Sequence, residues 1–343
     1  MPSHSDIERT ARAALRRAGV PPAQAALQTE LLLEAELRGT ASHGLLRLPR
    51  VIERITNGVT DPLATGLHHW AGEALLRVDG AQGLGPVVAM QALDAAAERL
   101  PRMGSVTVAI RNCDHLGMLA FYAEKMAARG IVLLGFTVSE ALVHPWGGRR
   151  AMIGTNPIAI GVPADPQPFV VDLATSEVSM GKIHDHANRG VPIPPGWALD
   201  AAGEPTTDAT AAKAGAIAPF GAAKGYALGL GFELLVSALC ASALGRDVRG
   251  TLDSDQPCNK GDVFILFSPQ DGMAQQIGAW LDVLRHSPPA DPAQPVRIPG
   301  DRAQQTRARR AGAEIALPAD IWTQIRRLSG DTEPAEKEAD HAP

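Results

Sequence analysis

The chain has 343 residues, of which 45% are hydrophobic and 20% charged, and its formal net charge at pH 7 is −5. That balance is typical of a globular protein with a sizeable core, and without a clustered basic surface it excludes electrostatic capture of nucleic acid. Three widely spaced cysteines (Cys113, Cys240 and Cys258) and the lack of a secretory-signal pattern at the N-terminus predict a cytoplasmic protein without disulfides.

Residues 1–72 are predicted to form an N-terminal helical segment. Apolar residues recur at helical spacing from Ile7 to Val20, and a second helix over residues 22–38 stops at Gly39. A third helix ends at Gly58, a residue type that favours helix C-termini.

From residue 73 onward the pattern alternates between strands and helices, which predicts an α/β core over residues 73–286. The two β-rich runs at 105–110 and 130–138 flank an amphipathic helix and predict a βαβ unit. The Gly/Pro-rich stretch 189–222 predicts long irregular loops. Further strands are predicted at residues 73–80, 157–163, 169–174 and 261–267, and further helices at 86–100, at 223–244 and up to Arg285.

The predicted helix 223–244 is apolar enough to be mistaken for a membrane span. It carries Glu233 near its middle and several glycines, which favours a buried core helix and no membrane association. A proline-rich connector at 287–295 leads into a C-terminal helical segment, 287–343, whose last dozen polar residues are expected to be frayed.

The sequence SHGLLR at 42–47 is the first candidate for chemistry. Oxidation of a hydroxy acid removes a hydride from C2 as the hydroxyl loses a proton, so a group with a pKa near 7, such as His43, suits that oxygen. Arg47 suits a bidentate grip on a carboxylate. The alternative is an N-cap Ser42 beside a solvated histidine and arginine.

Two further sequences suit anion binding at the start of a helix. His115 stands where a predicted strand passes into a helix, and backbone N–H groups at 116–119 could face a phosphate or carboxylate. In GAAKG at 221–225, Lys224 adds a charge before helix 223–244. The alternatives are a loop histidine with satisfied hydrogen bonds and a closely packed loop. GTNP (154–157) and DLATS (172–176) are weaker candidates for ligand contacts.

Two patterns are discounted. The GxG sequences at 83–86 and 229–231 lack the strand–turn–helix setting of a Rossmann fingerprint. His184 and His186 form an HxH pair, but no third ligand has a suitable spacing, so no metal site is predicted and a polar loop is favoured there.

Seven ordered blocks together carry a family resemblance across residues 8–328. They are LRGTASHGLLRLP, DHLGMLAFYAEKMAARG, GGRRAMIGTNPIAIGVP, VVDLATSEVSMGKI, IPPGWALDAAGEPTTDA, PFGAAKGYALGLGFELL and IPGDR. With them the chain resembles the malate/L-lactate dehydrogenase family, which is unrelated to the Rossmann-fold dehydrogenases of the same name. The resemblance implies an α/β fold with a non-Rossmann NAD(P)-binding mixed sheet, in which helical N- and C-terminal segments pack together.

The resemblance also implies a homodimer with its active site at the subunit interface and NAD or NADP as the cofactor. It assigns Ser42 and His43 to a proton relay and Arg47 to the substrate carboxylate, with His115 in the same pocket and acting as the acid/base in some relatives. Thr155 would contact substrate. The cofactor would lie against His115, Leu116, Gly117, Met118, Leu119, Leu173, Ala174, Thr175, Lys224, Gly225, Pro299, Gly300 and Asp301.

The expected function is hydride transfer between NAD(P) and a small 2-hydroxy acid/2-oxo acid pair of the malate, sulfolactate or lactate type. The alternative is reduction of a cyclic ketimine, piperideine- or pyrroline-2-carboxylate. Imine-reducing relatives place an aspartate where this chain has Lys182, so Lys182 favours oxygen chemistry and a substrate-side role. His144, Arg149 and Arg150 are expected to meet a second anionic group of the substrate.

Overall fold

A seven-stranded mixed sheet forms the centre of the protein. The computed structural model describes residues 2–313 and 315–331. The strands of this sheet are β1 (Leu67–Trp70), β2 (Leu75–Asp79), β3 (Ser105–Arg111), β4 (Val132–Thr137), β5 (Ile158–Val162), β6 (Phe169–Leu173) and β10 (Gly261–Phe267), in the spatial order β1-β2-β3-β10-β4-β5-β6. A small sheet is formed by β7 (Ala198–Leu199), β8 (Pro205–Thr206) and β9 (Ala216–Ile217), in the order β8-β7-β9.

The helices cover both faces and one end of the large sheet. They are α1 (His4–Arg17), α2 (Pro22–Leu37), α3 (Leu48–Thr56), α4 (Gly85–Met103), α5 (Ala120–Ala127), α6 (Met180–Asn188), α7 (Ala209–Ala212), α8 (Ala223–Cys240), α9 (Met273–Arg285), α10 (Asp301–Arg310) and α11 (Ala319–Ser329).

Strand β10 is buried on both faces at the centre of the large sheet. Successive side chains of a strand point to opposite faces, so Phe264 packs into the cluster under α4 and α5 while Val263 packs into the cluster under α8. Because helices cover both faces of this strand, its sequence is a nearly continuous apolar run and does not alternate between apolar and polar residues.

The sheet topology confirms the predicted non-Rossmann fold class. Among neighbouring strands only β2 and β3 run parallel, and the other pairs are antiparallel, whereas a Rossmann sheet is mostly parallel. The predicted βαβ unit is present with an addition: β3 and β4 are both antiparallel to β10, so they run parallel to each other with β10 between them.

The N- and C-terminal helical segments pack together, as predicted. Helix α1 lies against α11, and Ile7, Leu15, Leu48 and Ile325 share one buried cluster. The predicted frayed tail falls at residues 332–343, outside the described residues.

Local differences from the sequence prediction concern short or irregular elements. The segment 1–72, predicted to be helical, contains strand β1, which forms through pairing with β2. The stretch 189–222 contains α7 and the small three-stranded sheet in place of irregular loops alone. Helix α5 begins only at Ala120, because Gly117 has a φ of +70°, which is incompatible with a right-handed helix.

Helix α8 is buried on one face, which includes Glu233, and exposed on the other, so the predicted buried core helix is only partly buried in the single chain. By length and composition it is the one helix of the described residues that could cross a membrane, which is weak evidence because core helices pass the same test. Leu228, Leu234 and Leu235 are exposed, whereas Glu233 is buried and its carboxylate accepts hydrogen bonds from the Gly154 and Gly245 N–H groups.

Candidate active site

One cavity of about 900 Å³ gathers most of the predicted site residues. At one end it is lined by Ser42, His43, Arg47 and His115, and at the other by residues 167–174 and 298–304. Its volume lies near the upper end of the ~300–1,000 Å³ range of ligand pockets. A single cavity therefore connects the candidate catalytic residues with the candidate cofactor residues.

The turn that carries Ser42 and His43 is held by a buried carboxylate of α2. Residues Ala41–His43 and Leu45–Arg47 form two short 3-10 turns, and the Leu45 N–H donates to Glu36 Oε1 at 2.8 Å. Burial raises the pKa of Glu36 to about 6 even though this hydrogen bond opposes the shift. A side chain at position 44 would have to displace Glu36, because a Cβ there would lie 2.2 Å from Glu36 Oε1.

Gly44→Ala is expected to displace this turn. The added methyl group would push Glu36 off the Leu45 N–H, and an unpaired buried N–H costs ~1–3 kcal/mol of stability. Turnover is expected to fall with it, because His43 directly precedes Gly44. Denaturant unfolding and initial rates would check this against Gly231→Ala, where a Cβ meets no atom within 4 Å; equal behaviour of the two variants would contradict the prediction.

Ser42, His43 and Arg47 form one hydrogen-bonded group in this cavity. Ser42 Oγ lies 3.1 Å from His43 Nδ1, and Arg47 Nε–H donates to the Ser42 carbonyl at 2.9 Å. Burial, followed by the charge of Arg47, lowers the pKa of His43 to about 4. His43 is therefore neutral at pH 7 and can accept a proton.

His115 stands beside His43, with 5.5 Å between the ring centroids. The Gly117 N–H donates to His115 Nδ1 at 2.8 Å, which leaves the ring proton on Nε2. Burial, together with the charge of Arg47, holds the pKa of His115 well below its usual range. This histidine is therefore a neutral hydrogen-bond donor.

The residue before His115 is anchored by a buried ion pair. Arg54 on α3 donates to Asp114 Oδ1 at 2.8 Å, and Thr60 donates to Asp114 Oδ2 at 2.6 Å. Burial raises the pKa of Asp114, against the charge of Arg54. The pair joins α3 to the loop after β3, so it fixes His115 relative to the turn that carries His43.

Thr155 lines the cavity on the loop before β5. Glu233 holds this loop from α8, since its Oε2 accepts hydrogen bonds from Asn156 Nδ2 at 2.7 Å and from the Gly154 N–H at 3.2 Å. The Thr175 N–H and hydroxyl both donate to the Thr155 carbonyl. Thr175 is thus buried behind the cavity wall rather than part of it.

A carboxylate of the protein occupies the start of α5, whereas an open anion site at residues 116–119 was expected from the sequence. Asp172 on β6 accepts the Ala120 N–H at 2.8 Å. Desolvation of the carboxylate by the surrounding protein raises the pKa of Asp172 to about 6, although hydrogen bonds from the Ala120 and Leu119 N–H groups oppose the shift. Gly117, Met118 and Leu119 line the cavity, but this helix start faces a carboxylate instead of an open anion site.

A second helix start, that of α10, remains open to the cavity. Gly300 precedes it with a φ of +95°, and no side chain caps its N–H groups. Asp301 accepts two hydrogen bonds from Arg285, at 2.9 and 3.0 Å, and one from the Ile298 N–H. Arg302 and Ala303 lie in the first turn of α10, where backbone N–H groups have no partner within the helix. Both residues line the cavity.

Several predicted residues do not reach this cavity. The Lys182 ammonium lies 5.4 Å from the Trp197 ring centroid, and Lys224 is exposed at the start of α8. Leu116 is buried in the core, and Gly225 packs against the Phe220 carbonyl. None of these four lines the cavity of the single chain.

The residues expected to meet a second anionic group also lie elsewhere. Arg149 pairs with Glu204 at the surface, and the His144 Nδ1–H donates to the Pro145 carbonyl. Arg150 does not line the cavity. His184 and His186 lie on α6 instead of a polar loop, and the described residues contain no group of three or more side chains suited to a metal ion.

Glu36 and Glu233 were not assigned a site role from the sequence, and Asp172 was considered only within the weaker ligand-contact candidate 172–176. Each places a carboxylate among apolar neighbours, as in the run LLLEAEL around Glu36. A charged residue within such a run must find partners, and here the partners are the backbone N–H groups of the loops that line the cavity.

Comparison with known proteins confirms the resemblance seen in the sequence. The family model described as malate/L-lactate dehydrogenase matches residues 3–326. The (2R)-3-sulfolactate dehydrogenase (NADP(+)) of Chromohalobacter salexigens is 34% identical, over 95% of this chain and 97% of that protein. Delta(1)-pyrroline-2-carboxylate reductase 2 of Burkholderia multivorans is 31% identical, over 94% and 96%.

A solved structure also matches closely. The crystal structure of a dehydrogenase from Sinorhizobium meliloti superposes with a TM-score of 0.92 at 52% identity, covering 96% of this chain and 97% of that one. The chain therefore belongs to the malate/L-lactate dehydrogenase family, and it is an NAD(P)-dependent oxidoreductase.

Proposed function

We propose that the protein transfers a hydride between NAD(P) and C2 of a small 2-hydroxy acid/2-oxo acid pair of the malate, sulfolactate or lactate type. The observation that carries the proposal is the grouping of His43, His115 and Arg47 in a single cavity. Such a group can hold a carboxylate and move a proton at the neighbouring oxygen.

His43 is the proposed acid/base, a choice that the sequence left open. When His43 Nδ1–H donates to Ser42 Oγ, the Nε2 lone pair is available to accept the hydroxyl proton. His115 cannot take this role without losing the hydrogen bond from the Gly117 N–H, because a protonated ring has no acceptor. His115 Nε2–H instead donates to the substrate oxygen and orients it.

Arg47 is the proposed carboxylate ligand. Its Nε–H is engaged by the Ser42 carbonyl, and its Nη1 is 3.5 Å from the Thr251 carbonyl. Both acceptors are neutral backbone groups, so the guanidinium charge is not neutralised by an acidic side chain. A bound carboxylate would supply the compensating negative charge, and its two oxygens suit the bidentate pairing that arginine favours.

The cavity fits a dinucleotide cofactor. The open start of α10 at Pro299, Gly300 and Asp301 suits a phosphate group, and Gly300 allows close approach because it lacks a Cβ. Leu173 and Ala174 line the same cavity as the histidines. When bound, NAD(P) supplies the acceptor or donor of the hydride at C2.

The pH dependence should follow the protonation of His43. With a pKa of about 4, His43 is the required neutral base above that pH, so kcat/KM for hydroxy-acid oxidation is expected to be flat near neutrality and to fall tenfold per pH unit below about 4. Reduction needs protonated His43, so its kcat/KM should fall as the pH rises. Initial rates in both directions would check this, and matching profiles for the two directions would contradict it.

Reduction of a cyclic ketimine is the second candidate function. The similarity to a pyrroline-2-carboxylate reductase favours it, and Arg47 would serve the carboxylate of either substrate class. Lys182, where imine-reducing relatives have aspartate, directs its ammonium toward Trp197. An acidic proton donor is therefore missing from that position, which favours the hydroxy-acid reaction.

A substrate panel separates the two candidates. We would follow NADH and NADPH oxidation with oxaloacetate, sulfopyruvate, pyruvate and piperideine-2-carboxylate. Preferred turnover of a 2-oxo acid supports the proposal and identifies the cofactor. Turnover of the cyclic imine alone would contradict it and select the reductase function.

We also propose that the protein is a homodimer in the cytoplasm. Exposed apolar side chains on α8 (Leu228, Leu234 and Leu235) and on α9 (Trp280 and Val283) suit a protein interface. The three cysteines are free and buried, as suits a reducing compartment. Light scattering and cell fractionation test these proposals, and a monomeric mass or a periplasmic location would contradict them.

A further inference from the structure

Three arginines lie at the start of α3 or within it, and their side chains have different partners. Arg47 precedes α3, and Arg50 and Arg54 lie within it. Arg54 is fully engaged, since it donates to Asp114 and to the Asp253 and Gln256 carbonyls. Arg47 donates to two backbone carbonyls.

Arg50 differs from both because its side chain has no hydrogen bond or ion pair with the described residues. It is exposed and lines the cavity together with Arg47. Residues three apart on a helix are neighbours, with about 5–6 Å between their Cβ atoms. Two guanidinium groups can therefore reach one small ligand from the same side.

The charge balance at this end of the cavity is cationic. His43 and His115 are neutral, and Glu53 is the acidic residue that lines the cavity beside Arg50, beyond ion-pair distance of either arginine. Burial, followed by the charge of Arg50, lowers the pKa of Arg47 to about 10. Two arginines that repel each other in this way would both be stabilised by a ligand with two negative charges.

We propose that Arg50 is a specificity-determining residue that binds a second anionic group of the substrate, a carboxylate or sulfonate on the carbon beyond the oxo group. The inference rests on the proposed function, in which Arg47 holds the first carboxylate. Arg149 was expected from the sequence to bind this second anionic group, but Arg149 pairs with Glu204 away from the cavity. Arg50 is the residue proposed in its place. Dianionic 2-oxo acids are then preferred over monoanionic ones of the same length.

The test compares oxaloacetate with 2-oxobutyrate, which has the same chain length but a methyl group in place of the second carboxylate. Arg50→Gln is expected to lower kcat/KM for oxaloacetate about tenfold, the effect of a charged hydrogen bond at a partly solvated site, and to leave 2-oxobutyrate unchanged. Arg50→Lys keeps the charge and should retain most of the preference, and Arg50→Glu should reverse it.

Arg77→Gln is the matched control, since it removes one exposed arginine that does not line the cavity. An unchanged ratio of the two substrates in Arg50→Gln and Arg50→Glu would overturn the inference, as would an equal loss for both substrates. Failure of the proposed function looks different: the wild-type protein would then turn over neither 2-oxo acid.

Discussion

Replacing His43 with asparagine is expected to lower kcat for 2-oxo-acid reduction and 2-hydroxy-acid oxidation by ~10²–10⁴-fold, the usual contribution of a general acid/base. Asparagine can still meet Ser42 Oγ, which lies 3.1 Å from the native ring nitrogen, but it cannot take up a proton. Initial rates at saturating cofactor measure the loss, and circular dichroism together with cofactor binding would show that the fold is intact.

His115→Asn is the matched control for this prediction. The two rings lie 5.5 Å apart in the same cavity, so both variants disturb the same region. Because His115 is proposed to donate a hydrogen bond and not to exchange a proton, its loss should be smaller and should leave the pH profile unchanged. A greater loss in His115→Asn, with His43→Asn near normal, would reverse the two roles.

Lys260→Met is expected to lower the free energy of unfolding by ~3–5 kcal/mol, because it leaves a buried carboxylate without its cation. Lys260 is 1% exposed and Asp262 0%, and the ammonium lies 2.5 Å from the carboxylate. Burial lowers the pKa of Lys260, but the charge of Asp262 and the nearby thiols of Cys113 and Cys258 outweigh it, so the pKa is raised. Urea unfolding followed by circular dichroism measures the change.

The double variant Lys260→Met/Asp262→Leu tests the cause of that loss. Replacing both members of a buried ion pair with apolar side chains is often neutral or stabilising. Asp262 also accepts hydrogen bonds from the Thr137 hydroxyl and the Cys113 thiol, so recovery is expected to be substantial but incomplete. A double variant less stable than Lys260→Met would show that the unpaired carboxylate is not the main cause of the lost stability.

The grouping of the candidate catalytic residues was predictable because they are close in sequence. Ser42, His43 and Arg47 lie within six residues, so the local turns alone bring them together. His115 could be added because it follows a predicted strand, where α/β sheets place ligand-binding residues. The sequence has no signal for the proposed choice of His43 over His115, since that choice rests on the hydrogen bond from the Gly117 N–H.

The cofactor end was less predictable because its contacts join distant parts of the chain. Asp172 occupies the start of α5 across a sequence separation of 52 residues, and nothing near residue 116 indicates this. The blocks at 173–174 and 299–301 do line the cavity. Lys224 and Gly225 do not, although their Gly- and Lys-rich pattern suggested an anion site.

The overall fold was predictable at the level of elements but not of topology. The apolar runs at 105–110, 130–138 and 261–267 correctly indicated strands. Their order in the sheet has no local signal, because insertion of β10 between β3 and β4 depends on pairings across more than a hundred residues. The short strands β7, β8 and β9 have two residues each, too few for a visible alternation.

The central position of β10 has a consequence for synthesis of the protein. Phe267 follows Thr137 by about 130 residues, which take roughly 7–26 s to translate at ~5–20 residues/s. Without β10, both β3 and β4 lack a partner that they have in the folded sheet, and unpaired apolar edges are surfaces at which nascent chains aggregate. We expect a chain truncated at residue 250 to be sensitive to limited proteolysis from β3 onward, and the nascent protein to depend on chaperones until its last central strand leaves the ribosome.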